Sequence, residues 1–223
     1  MTITWFGHDS FRLEADTFIV DIDPWQLPVG LSKSNLVLIT HAHYDHCSLE
    51  DVGQITGAGA AIIGPREVAD KLAAWPVMVM AADESTQIEG VEVEALPAYN
   101  LNKFREPGQL FHPEEEGGLA YVLNWPASAG KLGKRICHTG DSDATSELEA
   151  LTGVDVLLVP VSGTYVMTAE EAAGLVNKIQ PKLVIPMHWG KIVGDENSAR
   201  RLRQLCGERV TIMAPGQTIA VPD

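Results

Sequence analysis

Basic residues are scarce in this chain: 16 Lys and Arg stand against 30 Asp and Glu among 223 residues, a formal net charge of −14. A phosphate backbone would meet net repulsion over most of such a surface, which disfavours a nucleic-acid partner. The short basic clusters Lys131, Lys134, Arg135 and Arg200, Arg201, Arg203 read as solvated charge. A nuclease would need Lys103, Arg105 and their neighbours gathered into a basic path. Cysteine is scarcer still. Cys47, Cys137 and Cys206 are odd in number and widely spaced, which argues against a disulfide framework and fits a reducing compartment. Long apolar runs are missing too: Val77-Met80 and Val156-Val159 fall far short of the roughly 18 residues a membrane span requires. The opening MTITWFGHDS lacks the basic region and apolar stretch of an export signal. The expectation is a cytoplasmic protein with no membrane span.

The chain does have enough apolar residues, 45%, to bury a core without staples. Its length suits one domain over residues 1–223. Alternation at Ile3 and Trp5, Phe11 and Leu13, and Phe18 and Val20 predicts three short strands. The continuous run Leu36-Val37-Leu38-Ile39 predicts a strand buried on both faces. Ser48 and Asp51 predict a helix cap, with Gly57-Ala58-Gly59 closing that helix before a strand at Ala60–Ile63. Pro65 opens a helix to about Ala74, and strands follow around Val77–Met80, Gln87–Glu89 and Val91–Leu96. Residues 99–117 show no period and read as one long loop, of the kind that is usually functional or disordered. Beyond it come strands at Leu119–Asn124 and Arg135–His138, then a helix over Asp143–Leu151. Asp155–Val159 reads as a buried strand, and Thr168 with Glu171 forms a capping box. Leu183–Ile185 delivers His188, Asp195 caps a last helix, and strands near Val210–Met213 and Thr218–Val221 close the chain.

The chemistry concentrates at Thr40-His41-Ala42-His43-Tyr44-Asp45-His46, where an apolar strand ends. Residues two apart on an extended chain point the same way, so His41 and His43 can present imidazoles to one ion. Asp45 and His46 can reach a second position, with donors that suit Zn²⁺, Mn²⁺ or Fe²⁺. Cys47 follows this motif directly. Two further segments, Cys137-His138-Thr139-Gly140-Asp141 and Pro186-Met187-His188, place a carboxylate and an imidazole just after strands, on a rigid scaffold.

With Gly7-His8, Ile22-Asp23-Pro24-Trp25, the His-x-His-x-Asp-His motif, His138-Thr139-Gly140-Asp141 and Pro186-Met187-His188 in this order, the sequence resembles the metallo-β-lactamase superfamily, in its UlaG-like and uncharacterised metal-dependent hydrolase branch. The resemblance runs over essentially the whole chain. It implies an α+β fold, a four-layer αβ/βα sandwich with one or two divalent ions, zinc first and manganese or iron as alternatives. It further implies that His41 and His43 bind a first metal, that Asp45, His46 and His188 bind a second, and that Asp141 bridges them. One position departs from the pattern. Where a third histidine usually completes the first site, this chain has Tyr99-Asn100. Either His112 compensates as ligand or substrate contact, or it is an exposed loop histidine. His8, Asn100 and His138 are candidates for contacts around the metals or the substrate, and Asp23 for orienting a ligand loop through hydrogen bonds. Tyr165 either lines the cleft or simply packs.

The mechanism implied is hydrolysis of a small-molecule ester, a phosphodiester or a (phosphorylated) lactone, by a metal-bound hydroxide. Asp45, His112 and Tyr165 are the catalytic candidates, with Asp45 orienting the hydroxide and passing on its proton. Two rival readings stand beside it: an iron oxygenase or other redox member of the superfamily, since His and Asp ligands do not discriminate zinc from iron, and a non-catalytic binding module that keeps its metal for structure.

Overall fold

Side-chain alternation builds the first layer. Ile3 and Trp5 of β1 (Thr2–Gly7) and Phe11 and Leu13 of β2 (Ser10–Ala15) turn to the same fully buried core, as do Val20 and Ile22 of β3 (Phe18–Ile22). These strands form an antiparallel meander. β4 (Ser34–Leu38) is buried on both faces. Its Leu36 and Leu38 join that core, while Val37 and the following Ile39 face a second apolar cluster. That cluster contains Val52 and Ile55 of α1 (Leu49–Ile55), Ile62 of β5 (Thr56–Gly64), and Val68 of α2 (Arg66–Lys71). With β6 (Val77–Val79), strands β3 to β6 run parallel.

The second layer contains β7 (Ser85–Ile88), β8 (Val91–Pro97), β11 (Leu119–Trp125) and β12 (Lys134–His138), paired antiparallel, the short strands β9 (Phe104–Glu106) and β10 (Gln109–Leu110) lying in the connection before β11. Beyond α3 (Ser146–Glu149), β13 (Val156–Pro160) and β14 (Leu183–Met187) extend it in parallel, with α4 (Ala169–Ile179) between them and α5 (Glu196–Cys206) after. The last strand, β15 (Gln217–Ala220), returns to pair with β1. Among the described residues the two main sheets are seven and six strands wide and share one apolar core, with α1 and α2 outside the first and α4 and α5 against the second. This is the expected four-layer αβ/βα sandwich. The computed structural model describes residues 1–127 and 133–222, so Lys131 of the first basic cluster lies outside the described residues.

Several local expectations are corrected. Gly57-Ala58-Gly59 does not close α1: Thr56 already ends it in extended backbone, and the glycines lie in β5. α2 stops at Lys71, short of Ala74, in a turn ahead of Trp75-Pro76. The segment 99–117 is not one featureless loop. It folds a hairpin of β9 (Phe104–Glu106) and β10 (Gln109–Leu110) about Pro107-Gly108, followed by a 3₁₀ turn at Glu114–Glu116. These strands are too short to show a period. α3 is a single turn capped by Thr145, because Asp143 spends its side chain on the backbone N–H groups of Leu101 and Asn102. Around Val210 there is only an isolated bridge to Val184, not a strand. The caps at Ser48, Thr168 and Asp195 form as expected.

Candidate metal centre

Six connections meet at one edge of the sandwich, each leaving the C-terminal end of a strand. They carry His8 after β1, His41 to His46 after β4, Asn100 and His112 after β8, Asp141 after β12, Tyr165 after β13 and His188 after β14. The carboxyl ends of strands are where such folds hold ligands. Gly140 lets two of these connections approach: it lies at φ +59°, and a Cβ there would stand 2.8 Å from the Leu119 carbonyl and 3.2 Å from Thr40 Cβ.

Three imidazoles meet at the first candidate position. His41 Nε2 lies 2.9 Å from His43 Nδ1, which lies 3.3 Å from His112 Nε2. The three nitrogens could hold one ion, and His112 is buried beside His43 and not an exposed loop histidine. Asn100 takes a different part. Its Oδ1 accepts the His112 backbone N–H at 3.0 Å and stands 3.3 Å from His112 Nδ1, while its Nδ2 donates to the Tyr165 carbonyl at 2.8 Å.

Asp141 occupies the middle. Its Oδ2 lies 3.5 Å from His112 Nε2 on one side, and 3.2 Å from His188 Nε2 and 3.5 Å from His46 Nε2 on the other. That is where a bridging carboxylate would sit. Asp45 stands further off. Its Oδ2 bonds His8 Nε2 at 3.0 Å and is 3.9 Å from His46 Nε2.

The histidines are aimed by partners on their outward nitrogens. His41 Nδ1 meets Thr40 Oγ1 at 3.0 Å, His46 Nδ1 meets Asp23 Oδ2 at 2.8 Å, and His188 Nδ1 meets Ser162 Oγ at 3.0 Å. Such contacts fix ring orientation and leave the other nitrogen free for a metal. Asp23 also accepts from the Thr40 backbone N–H and hydroxyl, which ties it to the end of the strand that delivers His41. His138 is buried with both nitrogens committed to backbone, Nε2 to the Asp9 carbonyl and Nδ1 to the Gly140 N–H, which braces the ligand loops from behind.

Electrostatics suit cations. Burial, reinforced by His46, holds His41 well below the usual histidine range, so its ring is neutral and able to bind metal. Burial would raise the Asp141 carboxyl, but His188 and His46 outweigh it and hold it well below the usual range. For His188, burial works downward and is outweighed by Asp141 and Asp9, which push it up to about 9. Buried atoms with no hydrogen-bond partner among the described residues converge here: both Asp9 oxygens, His46 Nε2 and Asp141 Oδ1. Leaving such groups unsatisfied is costly, and divalent ions fit them.

Sequence reasoning missed Asp9, although a Gly-His-Asp-Ser step between two alternating strands is a tight-turn signal, and it missed the outward partners Thr40 and Ser162. Cys47 does not join the cluster. It packs in the outer apolar layer, where burial pushes its thiol up to about 11. Lys103 is held by Glu171 and Asp143.

Over residues 2–188 the chain matches the family described as the beta-lactamase superfamily domain. The chain belongs to the metallo-β-lactamase superfamily. Its superfamily relatives include a UPF0173 metal-dependent hydrolase of Symbiobacterium thermophilum, 30% identical over 237 residues that cover 98% of this chain and 99% of that one. Among solved superfamily folds, Igni18, a metallo hydrolase of Ignicoccus hospitalis, superposes with a TM-score of 0.74 at 24% identity, covering 98% of this chain and 97% of that one. CmlA, a diiron beta-hydroxylase of Streptomyces venezuelae, superposes with a TM-score of 0.72 at 15% identity, covering 98% of this chain and 53% of that one.

Proposed function

We propose that this metal-dependent hydrolase cleaves a small anionic ester, a phosphodiester or a phosphorylated lactone, with zinc as its first choice of metal. The observation that carries the reading is a cavity of about 290 Å³ that opens directly onto His43, His112, Asp141 and His188, donors of both positions. That volume suits a small molecule. Divalent ions bound there would supply Lewis acidity, making water a nucleophile near neutral pH and polarising the ester. The chain's own residues do the rest. Asp45 lines the cavity with His8 behind it, placed to take the proton of the attacking water. Phe111 and Tyr165 pack edge to face at 4.6 Å as one wall. Arg105, the one Lys or Arg among the described lining residues, sits over the Phe111 ring at 5.6 Å and supports an anionic substrate. Three imidazoles at the first position favour zinc. Among the described residues the three cysteines form no disulfide, which supports a reducing, cytoplasmic setting.

The test is turnover of bis(p-nitrophenyl) phosphate and of paired lactones with and without a phosphate, by protein loaded with zinc or manganese. Chelation should abolish turnover, and Arg105→Ala should raise KM for the anionic substrates while sparing the neutral ones. No turnover of any ester at either metal would overturn the reading. A second reading, redox chemistry at iron, is favoured by the carboxylates gathered around His46 and His188, hard donors that suit that metal. Iron in the purified protein together with oxygen consumption would move it first.

A further inference from the structure

We propose that Asp9 is a ligand of the second metal position, which then carries carboxylates from two loops, Asp9 and Asp141, beside His46 and His188. The inference rests on the reading that this cluster holds divalent metal. Asp9 and His8 form the two-residue turn between β1 and β2, with Gly7 at φ +111° and His8 at φ +52°. A non-glycine residue in that region is uncommon and strained. The turn is nevertheless clamped. The His8 carbonyl accepts from Trp5 Nε1 at 2.8 Å and from the His188 backbone N–H at 3.1 Å, and the Asp9 carbonyl meets His138 Nε2 at 3.0 Å.

The clamp delivers a carboxylate that is 0% exposed and has no hydrogen-bond partner on either oxygen among the described residues. Its Oδ2 lies 3.6 Å from His46 Nε2, 3.7 Å from His8 Nε2 and 3.9 Å from His188 Nε2. These separations are too long for hydrogen bonds. They approach those of donors sharing one ion, since ligands each about 2.0–2.1 Å from a tetrahedral metal stand about 3.3 Å apart. His46 Nε2 also lacks a partner among the described residues. One cation between the Asp9 carboxylate and His46 would satisfy both. Asp45, the carboxylate the family resemblance assigned to this position, already has its Oδ2 engaged by His8. Two carboxylates make the second position harder than the three imidazoles of the first, so it should take manganese or iron more readily.

The test compares wild type, Asp9→Asn and Asp9→Ser as full chains, stripped by chelation and titrated with Co²⁺, followed by visible absorption, and with Mn²⁺, followed by electron paramagnetic resonance. Both variants should bind Mn²⁺ at least about tenfold more weakly, the least effect expected when even an outer partner of a ligand is lost, and keep the Co²⁺ band of the first position. The metal-free Asp9→Asn protein should unfold cooperatively, and its melting temperature should rise less on added Mn²⁺ than that of wild type. Variants that bind Mn²⁺ as wild type does would overturn the assignment of Asp9 alone. Wild type that binds neither ion would overturn the metal-dependent reading with it.

Discussion

Asn100 holds His112 in place: its side-chain carbonyl accepts the His112 backbone N–H at 3.0 Å, and its amide donates to the Tyr165 carbonyl at 2.8 Å. The residue that interrupts the expected ligand series thus fixes a histidine that lies beside His43. Asn100→Ala should leave His112 in the chain but loosen its ring, weakening zinc at the first position about 10–100-fold. His112→Ala should weaken it at least as much. Calorimetric zinc titration of the two variants separates the outcomes, and an Asn100→Ala protein with wild-type zinc affinity would remove Asn100 from this role.

Asp141 stands between the two histidine sets, with contacts of 3.5 Å to His112 and 3.2 Å to His188. Asp141→Ala should therefore abolish binding of the metal pair, so that content falls from about two ions per chain toward one or none. Plasma mass spectrometry on protein passed through a desalting column reads this directly. Unchanged content would contradict the bridging assignment.

Legibility in the sequence followed locality. The His41 to His46 cluster, the caps at Ser48, Thr168 and Asp195, and the doubly buried Leu36–Ile39 strand are each written in a few adjacent residues, where spacing and periodicity carry the information. His112 was open to two readings because its relation to His43 spans 69 positions and depends on a loop whose hairpin is too short to be periodic. Asp9 was overlooked for a different reason. A carboxylate in a tight turn is ordinary until burial is known, and only the folding of β1 and β2 against the β14 connection shuts it from water. The partners Thr40 and Ser162 carry no signal of their own, since a hydroxyl beside a histidine is common and Ser162 lies 26 positions from the histidine it meets.

Glu171 offers a pH test away from the metals. Burial raises its carboxyl, but hydrogen bonds from Lys103, from the Thr168 backbone and from Asn102 outweigh it and hold it at about 2. A depressed carboxyl contributes stability that is fully present above its unfolded value, near 4.5, and is lost as pH falls from there through about 2. Glu171→Gln should therefore lower stability at pH 7 by only about 1 kcal/mol, discounted because the side chain is part-exposed and screened. The gap between the two melting curves should close as pH falls from 4.5 toward 2. A gap independent of pH would assign the loss to the capping box alone.

Arg12 and Asp21 test what the outer face of the first sheet costs to bury. They sit opposite each other on β2 and β3, with Arg12 Nε donating to Asp21 Oδ1 at 3.0 Å and Nη2 to Oδ2 at 2.7 Å, while exposure is 4% and 1%. Nη2 also donates to the Ser32 carbonyl, and the Ser34 hydroxyl donates to Asp21, so the pair pins the connection between β3 and β4 that precedes the ligand strand. Arg12→Met leaves a buried carboxylate with a hydroxyl for company and should cost about 3–5 kcal/mol. Replacing both partners, Arg12→Met with Asp21→Leu, removes the charge altogether and should cost far less than the single change. Urea unfolding of the three proteins measures the difference. If the double variant is as unstable as Arg12→Met, the hydrogen bonds to Ser32 and Ser34, and not the uncompensated charge, carry the effect.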